Sequence, residues 1–160
     1  MSFHHDPEKW LYQSQKEHCP YCQKEDDPSN SEILKQFKYS ELCAHPKVSL
    51  KGTCYLITRE HFVELFDMDE QSLLGFMQEV QISARVLKEE TGAFKINYEI
   101  HGNSAPHLHM HLFPRYLDDP FAGTSIDYNR IDPPVYQKGE FEEFVQGMQD
   151  RLASQRNLML

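Results

Sequence analysis

The stretch APHLHMHLFPR, residues 105–115, places histidine at every second position: His107, His109 and His111. On a β-strand alternate side chains share a face, so the three imidazoles and Phe113 point one way. Leu108, Met110 and Leu112 then point the other way, toward a core. Because that apolar face is buried, the register cannot slip by one residue without exposing it. A merely wet strand face would carry Thr, Lys, Glu or Ser. Three histidines in five residues point instead to proton transfer or nucleophilic work near neutral pH. They fit a single shared metal poorly. Same-face Cβ atoms along a strand are about 6.5–7 Å apart, which puts the outer pair about 13 Å apart. A division of labour among the three is the better expectation.

Working outward, FKINYEI (Phe94–Ile100) reads as a second strand, joined to the histidine strand by the short HGNSAP connection. Consecutive strands joined this way pair antiparallel. Pro114 is expected to close the histidine strand, since it cannot donate to a ladder. TCYLIT (Thr53–Thr58), after Gly52, is a firm strand, and Ile33–Phe37 and Leu42–Ala44 are shorter candidates. Residues 69–90 form the clearest helix. Asp69 caps it, Leu73, Phe76, Met77, Val80, Ala84 and Leu87 make one apolar stripe, and Gly92 ends it. A C-terminal helix lies within residues 138–157, centred on Glu140–Leu152, with Phe141, Phe144, Val145, Met148 and Leu152 on one face. A short helix is expected over residues 6–18, with Asp6 as N-cap and Pro7 at its first position. The segment 114–137 has no periodicity, and a loop that long in a small domain is functional or disordered. The sum is a single α+β domain over residues 1–160, built on an antiparallel sheet of about five strands.

Composition narrows the function. The chain has 160 residues, 26% of them charged and 39% hydrophobic, with a net charge of −9. That balance describes a water-soluble globular domain and argues against nucleic acid as the main partner. No apolar run approaches a membrane span. The N-terminus lacks a basic start and an apolar stretch, so a cytoplasmic location is expected. His4 and His5 form a pair too short for a tag and read as surface residues.

Cys19-Pro20-Tyr21-Cys22 admits two readings. A thiol–disulfide site would need a strand before the first cysteine and a helix starting at it, and QSQKEH and QKEDDPSN supply neither. Half of a tetrahedral zinc site fits better, its other half often two histidines. His18, His45, His61, His101 and one triad member are candidates, and spacing does not choose among them. Cys43 and Cys54 sit in strand-like surroundings and read as small buried residues. No GxxxxGK[ST] loop is present.

These residues resemble the histidine-triad (HIT) superfamily, whose signature is H-x-H-x-H with apolar x. The likeness covers most of residues 19–119: CxxC, a Gly-led strand ending in TREH (Thr58–His61), the long helix, then KINYEIHGNSAPHLHMHLFPR. Members are nucleotide hydrolases and nucleotidyl transferases, and members of this size usually pair as homodimers. The resemblance implies that His109 is the nucleophile and that Cys19, Cys22, His61 and His107 hold a structural zinc. It also implies that His111, Asn97, Gly102, Asn103 and Ser104 surround the α-phosphate and sugar of a nucleotide substrate. Protonated His111, Asn103 and Ser104 would steady charge on the phosphoryl oxygens, and a covalent nucleotidyl-histidine would form. The chain departs from the pattern in three places. Residues 40–52 contain no Asp, Gly52-Thr53 stands where many members have Gly-His, and Asn103 replaces the usual Gln. His45 and His101 read as satisfied or surface histidines. A zinc-stabilised nucleotide-binding module without turnover, and a hydrolase with its metal on the triad, are the alternatives.

Overall fold

The computed structural model describes residues 6–23, 31–127 and 134–155. The His4–His5 pair, residues 24–30, part of the long loop (128–133) and residues 156–157 of the expected C-terminal helix lie outside the described residues.

Five strands, β1 (Glu32–Gln36), β2 (Ser40–Ala44), β3 (Cys54–Thr58), β4 (Lys95–Glu99) and β5 (His109–Arg115), form one antiparallel sheet in the order β1-β2-β3-β5-β4. The histidine strand is therefore flanked on both sides. Tyr55 and Glu99 both stand opposite His111, from β3 and β4 respectively. Among the described residues four α-helices accompany the sheet: α1 (Pro7–Gln13), α2 (Pro20–Gln23), α3 (Glu70–Thr91) and α4 (Glu140–Ser154).

The parity expected of β5 holds. Leu108, Met110 and Leu112 are buried in the main core with Leu42 and Leu56 of the neighbouring strands. Phe76, Val80, Ala84 and Leu87 of α3 close over them, and Phe141, Met148 and Leu152 of α4 complete the layer. Met77, at the margin of the α3 stripe, is 37% exposed. Asp69 caps α3 through Ser72 N–H, and Gly92 ends it in the left-handed conformation at φ 67°. Gly75 is required for a different reason: a Cβ there would run into the Tyr39 ring. Glu79 of α3 is buried and accepts from Tyr39 N–H (2.9 Å) and Ser40 Oγ–H (2.7 Å), tying the β1–β2 turn to the helix.

Three expectations need correction. The ladder of β5 begins at His109, not His107. His107 lies before it, where Leu108 N–H donates to the Phe62 carbonyl beyond the end of β3. Pro114 does not close the strand, which continues to Arg115. The β3 ladder ends at Leu112, so Pro114 has only β4 beside it, and its missing N–H falls where a sheet edge tolerates it. The N-terminal helix is also shorter than expected. It stops at Gln13, and one 3-10 turn, Lys16–His18, leads into Cys19.

The loop after β5 is not structureless. Buried Arg115 makes a two-pronged bond to Asp119 (2.8 and 2.9 Å) and donates to the Phe121 and Thr124 carbonyls. Under it, Phe113, Leu50, Phe121 and Ile126 form a second small core.

Candidate metal centre and histidine-triad site

The α2 turn, the segment after β3 and the entry to β5 meet at four side chains. Cys19 comes from just before α2 and Cys22 from within it, His61 from the segment after β3, and His107 from the residue pair preceding β5. Their ligand atoms all lie within 4.8 Å of one another. Cys19 Sγ is 3.2 Å from His107 Nδ1, and Cys22 Sγ is 3.4 Å from His61 Nδ1 and 3.6 Å from His107 Nδ1. The two Nδ1 atoms are 3.4 Å apart. A tetrahedral zinc, with bonds of about 2.3 Å to sulfur and about 2.0 Å to nitrogen, sets sulfur–nitrogen edges of about 3.5 Å and nitrogen–nitrogen edges of about 3.3 Å. The four donors already stand at that spacing.

The far nitrogens strengthen this reading. His107 Nε2–H donates to the Thr58 carbonyl at 2.7 Å, and His61 Nε2–H to the Ser14 carbonyl at 2.8 Å. Both rings thus turn a Nδ1 lone pair toward the same point, the outer-shell arrangement that fixes metal-ligating imidazoles. Burial holds His107 down at about 4, so it is neutral and able to ligate. Burial and the neighbouring Cys19 push the Cys22 thiol up to about 11, so its thiolate needs a cation beside it. Cys19, Cys22, His61 and His107 can hold a metal ion.

The next triad residue does something else. His109 Nδ1–H donates to the backbone carbonyl of His107 at 2.7 Å. That bond fixes the tautomer and leaves the Nε2 lone pair for chemistry. Burial lowers the His109 pKa and keeps the ring neutral. The Tyr21 ring, from between the two cysteines, stands 6.4 Å from the His109 ring.

His111 continues the row, its ring centroid 5.0 Å from His109 and stacked on Phe113 at 5.6 Å. The expectation of a protonated His111 is corrected. Burial first, then the neighbouring His109 and His101, push its pKa to about 3, so it is neutral at neutral pH.

The remaining expected substrate contacts separate. Gly102, Asn103 and Ser104 lie together in the loop between β4 and β5, with Ser104 exposed. Gly102 takes a left-handed φ of 64° with open space around it, so its requirement is the backbone angle and not room for a neighbour. Its carbonyl accepts from Trp10 Nε1–H at 2.8 Å. Asn97 shares the triad face by register, but its Oδ1 accepts from Lys95 Nζ at 2.8 Å.

Three participants were not assigned to the site from sequence. Trp10, 92 residues from Gly102, left no local signal. Tyr21 was visible only as a spacer inside CxxC. His101 was read as satisfied. It is satisfied, by Glu99 at 2.9 Å, but in the site, with its ring 5.8 Å from that of His111. The parity of Asn97, Glu99 and His101 along FKINYEIH was the available clue.

A five-stranded antiparallel sheet with alternating histidines leading into and along an interior strand, β5, is the arrangement of the histidine-triad class. The chain belongs to the HIT family: the HIT domain model matches residues 27–118. Among solved structures, a histidine triad protein from Bradyrhizobium japonicum is similar at 22% identity and TM-score 0.67, covering 77% of this chain and 91% of that one. A Zn-bound histidine triad family protein from Mycobacterium smegmatis matches at 20% identity and TM-score 0.62, over 88% and 96% of the two chains. Diadenosine triphosphate hydrolase from Plasmodium falciparum, solved with Cyclomarin A, matches at 15% identity and TM-score 0.59, over 81% and 88%. No curated protein matches the sequence.

Proposed function

We propose that this chain is a nucleotide hydrolase or nucleotidyl transferase in which His109 Nε2 attacks an α-phosphorus and carries the nucleotidyl group as a covalent intermediate. One observation carries the reading: the His109 Nδ1–H bond to the His107 carbonyl, which leaves Nε2 as the nucleophile's lone pair. The Gly102–Ser104 loop supplies backbone and side-chain donors to the phosphoryl oxygens, with neutral His111 donating one N–H. Asn97 and the open face beside β4 lie toward the sugar. Dinucleoside polyphosphates and nucleoside phosphoramidates are the substrate class.

Cys19, Cys22, His61 and His107 hold zinc in this reading, closed and structural. Bound there, zinc supplies no chemistry to phosphorus. The ligand residues fasten the N-terminal segment against the start of β5. The reading also includes a cytoplasmic setting and a homodimer using the outer edge of β4, where Phe94 and Tyr98 are each 53% exposed. No helix among the described residues is long and apolar enough to cross a membrane, and the net charge of −9 disfavours nucleic acid.

The test is a substrate panel of a dinucleoside polyphosphate and a nucleoside phosphoramidate. Wild type and His109→Ala are compared by product release and by mass spectrometry of acid-quenched enzyme. A nucleotidyl adduct on the peptide containing His109 is expected. Tight nucleotide binding with neither product nor adduct overturns the reading in favour of a binding module.

A further inference from the structure

Outside the metal ligands and the triad, one titratable pair borders the same face. Glu99 ends β4 directly opposite His111, and His101 follows it at the start of the β4–β5 loop. Glu99 Oε2 lies 2.9 Å from His101 Nε2, with the two side chains 19% and 30% exposed. The His101 ring is 5.8 Å from the His111 ring, which is 5.0 Å from that of His109. A carboxylate, an imidazole and the triad thus form one row across the sheet, with the outer pair nearest solvent.

The row meets a chemical need. Displacing an alkoxide or amide from phosphorus is slow unless the departing atom receives a proton. His111, pushed to about 3 by burial, has no proton of its own to give as an imidazolium at neutral pH. A partly exposed histidine bonded to a carboxylate is placed for that exchange, because the carboxylate fixes the orientation of the ring.

We propose that His101, positioned by Glu99, is the acid that protonates the leaving group and the base that afterwards deprotonates water; this rests on His109 as nucleophile. In the first half-reaction a bond forms between His109 Nε2 and the α-phosphorus as the bond from phosphorus to the leaving atom breaks. The electron pair departs on the leaving atom, which takes the proton of His101. In the second, a water oxygen bonds to phosphorus while His101 takes one of its protons. The phosphorus–Nε2 bond breaks, its electron pair returns to the imidazole, and the enzyme is restored. Water is the only co-reactant. Glu99 acts through His101 and is a positioning residue.

The experiment uses two probes with one adenylyl group. Adenosine 5′-(p-nitrophenyl phosphate) has a leaving group that departs without a proton, and an adenosine 5′-(N-alkyl phosphoramidate) has one that needs it. In single-turnover measurements His101→Ala should slow release of the alkylamine by about 10²-fold or more, and release of nitrophenol by less than about threefold on the same scale of acid catalysis. Breakdown of the common His109 adduct should slow equally whichever probe formed it. Glu99→Gln should move the same quantities in the same directions by less. Equal losses on both probes, or no loss on either, overturn the proposal. If His101→Ala melts early, His101→Asn and Glu99→Gln carry the comparison under the same criteria. A wild-type enzyme that forms the His109 adduct while the variants show no leaving-group selectivity removes only this proposal. A wild-type enzyme that forms no adduct and cleaves neither probe removes the nucleophile reading and this one with it.

Discussion

Removing the metal should release the N-terminal segment and leave the sheet folded. Neither α1 nor α2 contains a buried residue, so packing contributes little to holding them. Two long-range hydrogen bonds pin the segment, Trp10 Nε1–H to the Gly102 carbonyl and His61 Nε2–H to the Ser14 carbonyl, each worth about 1 kcal/mol net. Ordering the backbone of residues 7–23 costs about 1 kcal/mol per residue, on the order of 17 kcal/mol in all. A structural zinc bound by cysteine and histidine contributes about 10–16 kcal/mol, which is the term of matching size. The main core of Leu42, Leu56, Phe76, Leu87 and Leu112 takes no part in the metal cluster. Trp10 is the chain's single tryptophan and reports the event directly. On chelation its emission should shift to the red. Amide protection over residues 6–23 should collapse, that of residues 100–106 should fall with it, and the remaining domain should keep one cooperative thermal transition. The reasoning is refuted if metal analysis reads zero while Trp10 emission and protection of 6–23 are unchanged, or if chelation unfolds the whole chain.

Other outcomes follow from the same geometry. His109→Ala should lower turnover by about 10⁴-fold or more and abolish the mass adduct, while nucleotide affinity measured by calorimetry stays within a few-fold. Because burial lowers the His109 pKa and the neutral ring is the proposed nucleophile, kcat should persist at pH values below the ordinary histidine range and decline only as pH falls through the lowered value; a decline centred at the unperturbed value would contradict this. Arg115→Leu strands Asp119, whose side chain is 1% exposed. The expected loss is about 3–5 kcal/mol, seen by calorimetry as a Tm lowered by about 6–20 °C for a chain of this size, and a drop under about 2 °C on that scale would dismiss the ion pair as a stabiliser. The Arg115 guanidinium, with backbone donors, holds the Asp119 carboxyl below its usual range. Its contribution is therefore complete above the unfolded value of about 3.9 and is lost as pH falls through the folded one. The urea midpoint should decline below about pH 4, with the decline reduced in Asp119→Asn.

Much of this architecture was legible in the chain because its signals are local. Alternation along 107–113 set the buried face of β5, and the three-and-four spacing of Phe76, Val80, Ala84 and Leu87 set that of α3. The metal cluster was half legible. CxxC announced two donors, but His61 and His107 became their partners only through the family likeness, since spacing cannot tell them from His18 or His45. Contacts between distant segments were not legible. Nothing near Trp10 indicates a partner 92 residues away, and the pairing of His101 with Glu99 needed the β4–β5 register. The protonation state of His111 also escaped, because desolvation is a property of the packed face and not of the residue type. Pro114 was misread because a proline's effect depends on which side of the strand has a neighbour.

His107 faces two ways: its imidazole joins the cysteines, while its peptide oxygen fixes the tautomer of His109. The second task needs no particular side chain. Any residue at 107 that preserves the local backbone path can orient the His109 ring equally well, so the ligand there is exchangeable for another metal-binding type, cysteine included, without retuning that imidazole. Position 109 has no such latitude under the proposed function, which commits its two ring nitrogens to different tasks.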